Sequence, residues 1–222
     1  MRTLYHLPLD PGCRKVRILL TEKKLDCELK SEKVWERRPG FLRVNPAGSV
    51  PVLVEADGTS IPGSQVIAEY LEEAYAEPRL IGADPLDRAE VRRLVMWFDW
   101  KFQQEVTDHL LEEKMMKRFL GLGQPNSAAI RAGHANIHHH LDYIGWLAER
   151  RTWLAGDSFT LADIAAAAQV SAIDYLGDVP WEQHPGAHDW YSRVKSRPSL
   201  RSILADFVPG AAPPKHYADL DF

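Results

Sequence analysis

The segment Asn45-Pro46-Ala47-Gly48-Ser49-Val50-Pro51-Val52-Leu53, followed by Ile61-Pro62-Gly63-Ser64-Gln65-Val66-Ile67-Ala68-Glu69-Tyr70-Leu71, constrains this chain more than any other stretch. The run Val50 to Glu55 reads as a strand, Asp57-Gly58 is a hairpin signal, and a short strand near Ser60 and Ile61 leads into a helix from Ser64 to Tyr75. Upstream, Thr3 to Leu7 reads as a short strand ended by Pro8 and Pro11. Arg14 to Lys23 reads as a helix with Val16, Leu19 and Leu20 at core spacing, and Cys27 to Lys30 as a second strand. A charged loop, Val34-Trp35-Glu36-Arg37-Arg38-Pro39, then precedes a turn of helix around Phe41. The predicted order is β-α-β-α-β-β-α.

The breakers in Glu77-Pro78-Arg79-Leu80-Ile81-Gly82-Ala83-Asp84-Pro85 mark a boundary. The expected organisation is a first domain over residues 1–78, a helical domain over 86–208 and a tail over 209–222. A long helix is expected from Leu86 to about Leu120, with Trp97, Phe98, Trp100 and Phe102 serving its packing, and a second from Ser127 to Arg150 after the stop at Gly121 to Pro125. In Trp153 to Ile164, Thr160 suits an N-cap and Asp163 stands three residues on, where its carboxylate can reach back to the cap's amide. The alanine-rich helix from Ala162 to Tyr175 is expected at the centre of the helical domain.

With 222 residues, 45% of them hydrophobic, the chain can bury one or two cores, and its formal charge of −4 argues against a nucleic-acid binder. No apolar run approaches the ~18 residues of a membrane span, and Met1 to Leu7 leads straight into a strand-like segment. A cytoplasmic protein with no direct membrane insertion is expected. Two cysteines, Cys13 and Cys27, imply neither a disulfide framework nor a zinc site built from thiolates. The cluster His134, His138, His139, His140 lacks accompanying carboxylates or thiolates and reads as a solvated helix face, so no metal is expected.

The Asn45 to Leu53 motif, the Gly63-Ser64 helix start and the Trp153 to Ile164 motif together resemble the glutathione transferases and cover nearly the whole chain. That resemblance implies an α/β plus all-α architecture, the glutathione transferase fold, with an N-terminal thioredoxin-like domain and a C-terminal helical domain. It also implies a cis peptide bond between Val50 and Pro51. In the family an acidic residue before the Ser accepts the ligand's amine, while the Ser hydroxyl and the helix N-terminus hold its carboxylate. Here Ser64 remains but the acid is Gly63. Asp10 occupies the place of the thiol-activating Ser within Leu7 to Arg17, and an ionised carboxylate has no proton to donate and repels a thiolate. Cys13, beside Arg14 and Lys15 at a helix start, is either a small packing residue, the stronger reading, or a reactive thiol. Asp10, Cys13, Val50, Pro51, Gly63 and Ser64 thus mark a vestigial glutathione site.

The opening MRTLYHLPLDP, the VWE loop, RRLVMWFDWKFQQEV, AIDYLGDVPW, the SRP turn with ILAD and the ending HYADLDF resemble more narrowly the FtsZ-binding, transferase-like division proteins of alphaproteobacteria. This implies a non-enzymatic homodimer without a cofactor that binds FtsZ, alters filament curvature or bundling, and supports constriction at the division site. The ring of Trp35 in a charged loop, and a tail whose acids alternate with Tyr217, Leu220 and Phe222, make Trp35, Tyr217, Asp219, Leu220 and Phe222 the expected partner-binding residues. The alternative is a glutathione-dependent enzyme using Cys13 or Ser64, and a third reading is a regulator of some other cytosolic assembly.

Overall fold

The computed structural model describes residues 1–220, so Phe222 lies outside the described residues. Its sheet has the order β2-β1-β3-β4. Strand β1 (Arg2–His6) runs parallel to β2 (Cys27–Ser31) and antiparallel to β3 (Val52–Val54), which pairs antiparallel with β4 (Ser60–Pro62). Alternation along β1 sends Leu4 and His6 into the interior, the period-2 signature of a half-buried strand. Helices α1 (Pro11–Glu22), α2 (Pro39–Val44) and α3 (Ser64–Ala74) complete the thioredoxin-like half in the expected element order. Val50–Pro51 is cis, as the resemblance implies, and Glu77–Pro78 is cis as well.

The expected long helix is present from Pro85 to Leu120, but its hydrogen bonding is not uniformly α. Helix α4 (Pro85–Met96), α5 (Asp108–Leu111) and α6 (Lys117–Leu120) are separated by π-helical stretches at Trp97–Thr107 and Glu112–Met116, with right-handed helical backbone at each junction. Phe98 and Phe102 are fully buried, Trp97 is half-buried and Trp100 is exposed. Helix α7 (Ser127–Ala148), capped by Asn126, is followed by α8 (Leu161–Tyr175), α9 (Pro185–Lys195) and the short α10 (Arg201–Leu204).

Every residue of α8 is buried, which fits its alanine-rich sequence. Its start is a complete capping box: the Thr160 hydroxyl accepts from Ala162 N, and Asp163 accepts from Thr160 N at 3.0 Å. The Asp163 carboxylate also accepts from Leu154 N and from Trp190 Nε1, each at 3.0 Å, so one buried acid ties the helix start to α9. Burial raises its pKa, and these donors oppose that rise.

The histidine cluster needs a correction, because its residues do not share a solvated face. His140 is fully buried, accepts from Trp97 Nε1 at 3.0 Å through Nδ1, and donates through Nε2 to Glu105 at 3.0 Å. His138 bonds His184 at 2.8 Å, and His184 in turn bonds Asp142 at 2.9 Å. Among the described residues no group of three or more potential ligands is arranged for a metal ion, and no helix is long and apolar enough to cross a membrane.

The two halves meet along α1, which packs against both α3 and α8. The meeting surface is polar as well as apolar. Arg17 makes bonds of 2.8 and 2.9 Å to the two oxygens of Asp206 and donates to Ser202 O. Arg14 donates to Pro8 O and to Ser171 Oγ at 2.8 Å and approaches Asp206 at 3.4 Å. Glu22 accepts both arms of Arg197 at 2.8 Å and the Ser199 hydroxyl at 2.6 Å. Arg14 and Arg17 are buried, and removing one partner of a buried pair strands a desolvated charge, which costs about 3–5 kcal/mol. Asp206→Ala is therefore expected to lower unfolding free energy by that amount in denaturant titration, with Asp206→Asn losing less. A change below ~1 kcal/mol would show that these contacts do not hold the halves together.

His6 and His140 give the fold a defined acid sensitivity. Burial lowers both pKa values to about 4, with Arg17 assisting at His6 and Glu105 opposing at His140. An unfolded imidazole takes its proton near pH ~6.5, while these two stay neutral in the fold until about pH 4, so stability falls as pH drops through that window. The unfolding free energy is expected to decline from pH 6.5 to 4, and His140→Gln to reduce that slope. An unchanged slope in the variant would contradict the assignment.

Candidate functional site

The loop after β1, the cis-proline loop and the start of α3 converge where the transferase resemblance places a ligand, and each is built by local rules. Asp10 is the N-cap of α1: its Oδ1 accepts from Cys13 N at 2.7 Å, and Pro11 follows at the first helical position, where a missing N–H costs nothing. The carboxylate, at the position where the resemblance implies an activating hydroxyl, is thus turned onto the backbone. Burial raises its pKa, and the Cys13 hydrogen bond pulls the other way.

Cys13 is fully buried, and its Sγ accepts the Leu7 N–H at 3.4 Å. Burial, reinforced by the Asp10 charge, pushes the thiol well above its usual value. A thiol held neutral is a poor nucleophile, so the packing reading of Cys13 fits this geometry.

Gly63 takes φ +93, donates its N–H to Pro51 O at 2.9 Å and accepts from Ile67 N at 2.9 Å, so its backbone seats α3 on the cis-proline loop. Ser64, half-buried, opens α3 with its hydroxyl against Gly12: a Cβ on Gly12 would lie 3.3 Å from Ser64 Oγ and 3.2 Å from Asp10 Oδ1. The anion-holding half of a glutathione site, a hydroxyl at a helix N-terminus, is present, but it shares its neighbourhood with the Asp10 carboxylate. Gly63 has no carboxylate for the charge-assisted contact to a ligand amine, about 1.5–3 kcal/mol, that the resemblance implies at this position. As a glutathione site the residues fit on one side only.

Beside it, Lys15 is a buried ammonium that donates to Gln65 Oε1 at 2.9 Å and pairs with Asp99, joining α1, α3 and the long helix. Sequence reading saw Lys15 only as a cation beside Cys13. Tyr5, on β1, packs its ring on Phe41 at 5.4 Å.

Trp35 sits in a single 3-10 turn, Val34–Glu36, between β2 and α2, and keeps 40% of its surface exposed. Around it Lys33 pairs with Glu36 at 3.4 Å, Arg38 pairs with the buried Glu32, and Arg37 closes the turn. The tail crosses the other half of the molecule, and here the expectation for Tyr217 is corrected. Tyr217 is fully buried, donates its hydroxyl to Ile203 O at 3.0 Å, packs edge-on against Tyr175 at 5.1 Å, and lies under the Arg14 guanidinium at 5.9 Å. A ring enclosed by its own core is an anchor for the tail and offers a partner no surface. His216 bonds the buried Asp174 at 3.1 Å, and Lys195 donates to His216 O at 3.1 Å. Beyond this anchor Asp219 and Leu220 are exposed. Trp35 thus lies on the thioredoxin-like half, whereas the tail is anchored mainly on the helical half.

Two family models match the chain: the glutathione S-transferase N-terminal domain over residues 4–79 and the glutathione S-transferase C-terminal domain over residues 137–198. FtsZ-localized protein A of Caulobacter vibrioides is 50% identical over 224 aligned positions, covering 100% of this chain and 98% of that protein. Among solved structures, one described as a glutathione S-transferase from Rhodospirillum rubrum F11 superposes with TM-score 0.98 at 58% identity, covering 100% of both chains. FzlA from C. crescentus superposes with TM-score 0.97 at 50% identity, covering 100% of this chain and 99% of that one. The chain belongs to the glutathione S-transferase family and is a full-length homologue of FtsZ-localized protein A.

Proposed function

We propose that this protein is a non-enzymatic cell division factor, cytoplasmic and recruited to the division site, that binds FtsZ filaments and modulates their curvature or bundling. The observation that carries the reading is end-to-end similarity, at 50% identity, to a protein named for its localisation with FtsZ. The chemistry of the site supports it: a carboxylate stands at the activating position, the nearby thiol is buried and held neutral, and the amine-binding acid is glycine. A homodimer would shape filaments geometrically, since a two-fold axis presents two copies of each surface and so can bridge or brace a polymer. Exposed Val66 on α3, and Met96 and Trp100 on the long helix, supply apolar surface for such an interface.

A second reading is favoured by one observation. Ser64 still offers a hydroxyl at a helix N-terminus in a fold shared with many transferases, which suits a glutathione-dependent enzyme. The two differ in what they need, because filament binding requires no thiol ligand.

Trp35, Asp219 and Leu220 are the proposed contacts, with Tyr217 holding the tail in place. Trp35→Ala is expected to weaken co-sedimentation with GTP-assembled FtsZ by about 2 kcal/mol or more while the melting temperature holds. Asp219→Lys should change binding or its salt dependence, again without unfolding. Tyr217→Ala should instead lower the melting temperature first. If Trp35→Ala loses stability yet binds normally per folded molecule, Trp35 is a structural residue.

A further inference from the structure

Arg37 adopts φ 45 and ψ 44, the left-handed region, where a side chain is disfavoured and glycine is not. Among the described non-glycine residues only Lys24 shares a positive φ. Lys24 lies just past the C-terminus of α1, where a cation meets the carbonyl end of a 12-residue helix and is favoured by it. Arg37 closes a three-residue turn, which offers no comparable reward. A strained residue that the local structure does not favour points to a function for its side chain.

The surroundings indicate which function. Lys33 and Arg38 on either side are ion-paired, whereas among the described residues neither Arg37 nor Arg43 has a salt bridge. Arg37 Nη1 lies 3.9 Å from where a Cβ on Gly48 would stand, so the guanidinium leans over the Asn45–Pro51 loop, next to the Trp35 turn. Residues 28–43 carry five basic and three acidic side chains, in a chain whose formal charge is −4. An exposed guanidinium fork two residues along from a half-exposed indole is suited to carboxylates on a polypeptide, the fork taking the charge and the ring apolar surface.

We propose that Arg37 seats an acidic segment of the protein partner beside the Trp35 turn. This rests on the reading of the Trp35 turn as a partner-binding surface, and it adds the chemistry of what docks there. The test uses the full chain with two probes: a decaglutamate peptide followed by two-dimensional 1H–15N NMR, and GTP-assembled FtsZ in co-sedimentation at several salt concentrations. Arg37→Gly suits the observed φ and removes the charge, so it should leave the melting temperature unchanged or higher. The peptide is expected to shift the Trp35 indole and Gly48 amide signals of the wild type. Arg37→Gly should weaken both peptide and filament binding about tenfold or more and flatten the salt dependence, with Arg37→Lys retaining part of each. Wild-type and Arg37→Gly chains pelleting alike, with the same salt dependence, would overturn the acidic-segment inference while leaving FtsZ binding intact. A wild type that responds to the peptide at Trp35 and Arg37 but never pellets would uphold the inference and remove FtsZ as the partner. No response to either probe would overturn both.

Discussion

Two buried guanidinium groups one turn apart on α1 are the contact on which the rest of this molecule depends. Arg14 and Arg17 reach from the thioredoxin-like half to Ser171 on the central helix and to Asp206 after α10, and Arg14 also supports the rings of Tyr175 and Tyr217. Burying such charges is tolerable only because their donors are shared among a carboxylate, a hydroxyl and backbone carbonyls. A single helix thereby sets the position of one domain on the other and fixes the base of the tail. The same helix begins at the Asp10 cap, so the loop between β1 and α1 is mechanically part of the domain joint.

That arrangement bears on the chemistry of the site. The resemblance implies a side chain here that donates a hydrogen bond to a thiolate, but Asp10 accepts one from its own helix. Cys13, one turn into that helix, is sealed under the loop that Leu7 closes over it. Glycine at position 63 preserves the backbone link between α3 and Pro51 without supplying an acid. Asp10 and Gly63 thus both serve the backbone scaffold, one as a helix cap and the other as the seat of α3.

Much of the architecture was legible because it is written in local rules. The Asp57-Gly58 turn, the Thr160–Asp163 capping box and the alanine-rich α8 each declare themselves within a few residues, and all three are in place. His140 was misread although a signal existed: Ile137, Leu141 and Ile144 define a buried stripe, and His140 lies on it at helical spacing. Tyr217 was misread because its partners, Ile203, Tyr175 and Arg14, are distant in sequence, so an acidic aromatic tail looked the same whether anchored or free. The burial of Arg14 and Arg17 left no local signal, since charged residues on a helix ordinarily face solvent and only α8 and Asp206 make them interior. The π-helical stretches of the long helix, Trp97–Thr107 and Glu112–Met116, contain neither proline nor glycine to mark them.

The central claim is that this transferase fold works through its shape. The most direct measurement is electron microscopy of FtsZ filaments assembled with GTP and the purified chain, in buffer free of glutathione and of any electrophile. The account predicts that filament curvature or bundling changes under those conditions and that adding glutathione makes no difference. Filaments that stay unaltered until glutathione and a second substrate are supplied would contradict it.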